Sequence, residues 1–149
     1  MTHTADATVG AKGVGLTTAL FMLGRVMFAA IFILSGIGHL TRLQGMSQYA
    51  AAFNVPQPQL SVLITGLMIL FGGLSLLLGV KVRAGALVLV LFLIPAAIYM
   101  HPFWGVADQM QAAAQQAHFL KNLSLAGASL IIYVVSTAYP QAWVWAIRP

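Results

Sequence analysis

Residues 60–100 read LSVLITGLMILFGGLSLLLGVKVRAGALVLVLFLIPAAIYM, and the only charges in the stretch are Lys81 and Arg83. Two apolar runs, about Leu60–Val80 and Ala84–Met100, are thus divided by a basic turn, Lys81-Val82-Arg83. A helix needs roughly 20 apolar residues to cross the hydrocarbon core of a bilayer. A three-residue turn can join two such helices only as antiparallel neighbours. Gly79 suits the end of the first helix. Pro95 denies the Leu91 carbonyl its donor and predicts a kink in the second.

The same reading extends outward in both directions. An upstream run, about Leu16–Leu40, contains Arg25 and is too long for the 7 to 15 apolar residues usual in a signal peptide, so it reads as a retained crossing. Between it and Leu60, Leu43, Met46, Ala50 and Phe53 fall at helical spacing, and Asn54, Pro56 and Pro58 stop the pattern. This predicts a short amphipathic helix on the membrane surface. Downstream, HPFWGVA (101–107) reads as an aromatic interfacial loop and Asp108 as the N-cap of a fourth helix, about 109–138. At 1.5 Å per residue that helix would be roughly 45 Å long, more than the ~30 Å hydrocarbon core, so its polar first turns should project from the bilayer. Pro140 ends it, and Trp143 and Trp145 suit an interfacial anchor. The expected architecture is an all-α, polytopic bundle of four transmembrane helices over residues 16–139. It would be flanked by a flexible tail (1–15) and an interfacial tail (140–149).

Composition agrees and excludes other classes. Of the 149 residues, 60% are hydrophobic and 6% charged, against about a quarter charged in soluble domains. The absence of cysteine excludes disulfide exchange, thiolate metal sites and iron–sulfur clusters carried by this chain. A net charge of +5 comes from isolated cations, so no nucleic-acid stripe exists; lipid is the expected partner. Lys12, Lys81, Arg83 and Arg148 would share one side, and Arg42 and Lys121, offset by Asp108, the other. The positive-inside rule then puts both termini in the cytoplasm, with the protein in a bacterial-type inner membrane.

Several polar residues are out of place in lipid. Arg25 lies about nine residues into the first crossing, where an unpaired cation costs at least a few kcal/mol. It should snorkel, cap carbonyls at the end of the second crossing, or meet an anionic or quinone carbonyl group. With Asp6 in the tail and Asp108 in a loop, a buried salt bridge is not expected. In the fourth helix Gln111, Gln115, His118, Asn122, Ser129 and Tyr133 form a stripe that must face the bundle or a partner. His39, His101 and His118 all fall on the side opposite the termini. Together with Lys121 and Asn122 they could surround a polar pocket, with Tyr49, Phe103 and Trp104 as its apolar walls and the HPFW loop as its roof. Imidazoles at such a place serve a quinone head group, haem iron or a metal, or are ordinary interfacial residues. No H-x-x-x-H or H-x-x-E-H spacing exists, so no metal ligands are assigned. Ser35, Gly36 and Gly38 in the first helix, with Gly66, Gly72, Gly73 and Gly79 in the second, predict close helix packing.

LGRVMFAAIFILSGIGHL (23–40), YAAAFNVP (49–56), TGLMILFGGLSLLLGV (65–80), HPFW (101–104) and HFLKNLSLAGASLIIY (118–133) together resemble the DoxX family over about residues 20–135. The resemblance implies a four-helix membrane fold and an association with membrane redox chemistry. Relatives include subunits of quinone-linked oxidoreductases and proteins that assemble with redox-defence partners. On that basis the chain is expected to be a small membrane subunit or anchor of a redox complex, at most a non-catalytic or quinone-site subunit, with a quinone as the implied cofactor. A homo-oligomer is compatible with the sequence. The family pattern often carries glutamate in the second crossing, in a G-x-x-E-x-x-G setting; here Gly66 and Gly72 flank Ile69. A small transporter or channel, and a purely structural assembly protein, are the competing readings.

Overall fold

The computed structural model describes the backbone of residues 3–143 and the side chains of residues 15–143. Five α-helices and a closing 3₁₀ turn follow in order: α1 (His3–Thr41), α2 (Leu43–Ala52), α3 (Pro58–Leu78), α4 (Val82–Met100), α5 (Gln109–Ala138) and the turn Pro140–Trp143. Within these, Gly15–Thr41 of α1 and the whole of α3, α4 and α5 are long and apolar enough to cross a membrane. The hairpin expected from residues 60–100 is therefore α3–α4, and α2 is the short helix expected after the first crossing.

Helix ends follow local chemistry. Pro58 opens α3, where its missing N–H costs nothing. Gly79 closes it in the left-handed conformation (φ 72°), its N–H donating to the Ser75 carbonyl. Asp108 caps α5 as expected, its Oδ1 accepting from the Gln111 N–H at 2.7 Å. The α1 backbone begins upstream, at His3, while its membrane-spanning part starts at Gly15, beside the expected Leu16. Once a long helix is nucleated, each further residue adds a backbone hydrogen bond without the nucleation cost, so the backbone continues helical upstream of the apolar run. The reading of 140–149 also changes. Trp143 is buried at 4% exposure rather than sitting at the interface, while Trp145 and Arg148 lie outside the described residues.

The helices pack in the order α1–α3–α4–α5, with α2 laid against α3. Small residues set the spacing. A Cβ on Gly36 would come within 3.1 Å of the Gly66 carbonyl and one on Gly73 within 3.1 Å of the Ile33 nitrogen, so α1 and α3 touch backbone to backbone. Gly72, Ser75 and Gly85 do the same between α3 and α4. Phe32, Ile69, Leu76, Leu89, Leu93 and Ala126 fill the interior, while Leu20, Met27, Leu34, Leu67, Leu91 and Ile131 point outward, as a lipid-facing surface requires. Among the described residues α1 and α5 make little contact with each other. Their seam is clasped at the end carrying the termini, where Trp143 meets Phe21 edge-on with centroids 4.9 Å apart.

Candidate functional site

Arg25 is part of that clasp. The residue is buried at 5% exposure. Nε donates to the Leu76 carbonyl at 3.1 Å and an Nη to the Leu77 carbonyl at 2.7 Å. The same cation lies 5.2 Å from the Trp143 ring centroid and 5.8 Å from that of Phe21, within cation–π range. These carbonyls belong to the last turn of α3, where helix partial charge is negative and intrahelical donors have run out. Of the roles the sequence leaves open for Arg25, capping the end of the second crossing is the one the geometry displays.

At the distal end, away from the termini, the seam opens into a cavity of about 500 Å³. Four crossings and α2 contribute to it. Ile31, Phe32, Ser35 and His39 come from α1; Val62, Thr65, Met68 and Ile69 from α3; Phe92, Leu93, Ala96 and Tyr99 from α4; and Lys121, Asn122 and Leu125 from α5. Met46, Tyr49 and Ala50 of α2, with Val55 and Pro56 of the following loop, close the distal side. The walls are mostly apolar with a few polar groups among them, a composition typical of sites for small molecules.

Five of the residues singled out in the sequence line this cavity: His39, Tyr49, His101, Lys121 and Asn122. His39 is held by its own helix, Nδ1 lying 2.8 Å from the Ser35 carbonyl, and meets Phe92 edge-on at 6.4 Å. His101, just past α4, is tied to α5 through the Gln115 Oε1 at 2.9 Å. Burial pushes the His101 pKa down; the Gln115 bond works against that, and the neighbouring His118 and Lys121 charges add to the lowering. Three residues stand elsewhere. His118 is exposed and stacks on the outer face of the site, its ring 5.1 Å from that of His101. Phe103 and Trp104 do not roof the cavity but pack edge-on around Phe119 of α5, 5.5 and 6.1 Å away. Phe119 gives the loop aromatics an apolar partner on α5 itself, whereas α2 lends Met46, Tyr49 and Ala50 to the cavity lining.

Sequence reasoning missed Ser61, Thr65 and Tyr99. A signal was present: Ser61 and Thr65 stand one helical turn apart in an otherwise apolar span, so they share one face. Among the described residues no group of three metal-ligating side chains exists.

The pattern of the DoxX family matches residues 20–102, from the clasp residues Phe21 and Arg25 through His39 to His101. The chain belongs to the DoxX family. Inner membrane protein YphA of Escherichia coli (strain K12) is 26% identical to it over 115 residues, covering 77% of this chain and 81% of that protein. Inner membrane protein YqjF of the same organism is 28% identical over 113 residues, covering 76% and 81%. No solved structure matches this DoxX-family chain. Ile69, between Gly66 and Gly72, is fully buried and lines the cavity. The interior of this member is therefore uncharged at that position.

Proposed function

We propose that this DoxX-family protein is a small integral subunit or anchor of a membrane redox complex and that its cavity holds a quinone-class ring ligand. The observation that supports this is the cavity itself. It has about 500 Å³ of largely apolar space, sited where α1 and α5 part, with His39, His101, Lys121 and Asn122 available to a ring's oxygens. A flat ring with two polar atoms and an apolar tail suits such a slot, and the sparsely packed α1–α5 seam offers it a path from the lipid. We further place both termini in the cytoplasm, so that the cavity lies toward the opposite face; isolated cations at Lys81 and Arg83 support this orientation.

The role is tested by isolating the full-length protein from its native membrane in mild detergent and identifying co-purifying proteins and extracted lipids by mass spectrometry. An oxidoreductase subunit and a quinone-class lipid are expected with it. A chain that comes away alone, with phospholipid only, would contradict the proposal and favour a free-standing transporter or structural protein.

A further inference from the structure

The hydrogen-bonding character of the cavity follows from what already holds its side chains. A carbonyl oxygen only accepts, so the Nδ1 of His39 at the Ser35 carbonyl carries that ring's proton. The Nδ1 of His101 at the Gln115 Oε1 does likewise. In a neutral imidazole the other nitrogen then bears a lone pair, and both rings present Nε2 as an acceptor. The hydroxyls behave similarly: Ser61 Oγ donates to the Pro56 carbonyl at 2.6 Å and Thr65 Oγ1 to the Ser61 carbonyl at 2.7 Å. Four polar side chains of the cavity have thus committed their protons to the protein and offer a ligand only lone pairs. Asn122 is 7% exposed, lines the cavity and has no hydrogen-bond partner among the described residues, so its amide can both donate to and accept from a ligand. Lys121, exposed on the rim, is an obligate donor. No carboxylate lines the cavity among the described residues.

Resting on the reading of the cavity as a ring-ligand site, we propose that it selects the reduced, hydroxyl-bearing hydroquinone over the oxidised dione. A hydroquinone brings two O–H donors to a site rich in lone pairs. A dione can only accept, from Lys121 and Asn122, and leaves the four acceptors unmatched, whereas the hydroquinone's oxygens can accept from those same donors while its O–H groups donate.

The test is equilibrium binding of a decyl-substituted benzoquinone and its hydroquinone to the full-length protein in nanodiscs, with empty discs as the partition control. Dithionite can keep the hydroquinone reduced, the chain having no cysteine for it to act on. The hydroquinone is expected to bind about tenfold tighter, the equivalent of one net hydrogen bond. Thr65→Val and Ser61→Ala, which scarcely change volume, should narrow that preference, and His39→Phe and His101→Phe should narrow it further. Equal affinity, tighter binding of the dione, or a preference untouched in all four variants would overturn the selectivity. Absence of saturable binding by either form would instead overturn the ring-ligand reading on which it rests.

Discussion

Arg25 shows how one residue can be costly and still structural. In a membrane the carbonyls of Leu76 and Leu77 have no water to turn to, and the guanidinium supplies donors to both. Arg25→Met should therefore destabilise the protein by about 3 kcal/mol, taking two charge-assisted bonds at the lower end of their usual worth. Thermal unfolding in detergent would register this as a clear loss, and Arg25→Lys should restore only part of it, because one ammonium cannot span both acceptors as a planar guanidinium does. His101 calls for a pH experiment. Its folded pKa is lowered, so below the ordinary value of about 6.5 the unfolded chain takes up the proton first. The stability His101 contributes is complete above that pH and is lost as the pH falls toward the depressed folded value. The apparent Tm should decline from pH 7 to pH 5 more steeply in the wild type than in His101→Asn; parallel curves would remove His101 as the cause. The carbonyl-capping role of Arg25 could be anticipated from the sequence because both acids lie far along the chain from it. The Trp143 contact could not, since nothing in a tryptophan near the end of a chain says whether it turns toward lipid or folds back.

Among the elements, the crossings were legible because hydropathy sustained over some 20 residues has one structural solution in a membrane. The α3–α4 hairpin followed from the shortness of its turn, and α5 from Asp108 and its polar stripe. What spacing along a helix leaves open is which neighbour each face meets. Thus His118 and Asn122, one turn apart on α5, part company: Asn122 is buried in the cavity and His118 stands outside against His101. Phe103 and Trp104 were misplaced for the same reason, since an apolar partner on α5 competes with the cavity for them. The 3₁₀ turn Pro140–Trp143 carries more weight than its length suggests, because Trp143 joins α5 to Phe21 and Arg25 of α1 across a seam with little other contact among the described residues. Trp143→Ala should cost about 3–5 kcal/mol, the usual range for a buried aromatic, whereas Tyr139→Ala, at an exposed site just before the turn, should cost far less. Comparable losses in the two variants would show that the clasp does not close the seam.

Taken whole, the described residues form a bundle with helices in the order α1–α3–α4–α5, clasped by Trp143 near one end and holding a cavity toward the other. Family membership establishes the membrane fold; the central claim proposed beyond it is that the cavity binds a ring ligand. Photolabelling with a benzoquinone carrying a diazirine on its alkyl tail, in nanodiscs and followed by peptide mass spectrometry, tests that claim most directly. Saturable labelling should concentrate on α1 between Ile31 and His39 and on α5 between Lys121 and Leu125, and excess unlabelled hydroquinone should compete it away. Label spread over lipid-facing positions such as Met27, Leu67 and Ile131, with no competition, would mean that the seam is only a gap in the packing and the cavity holds no ring ligand.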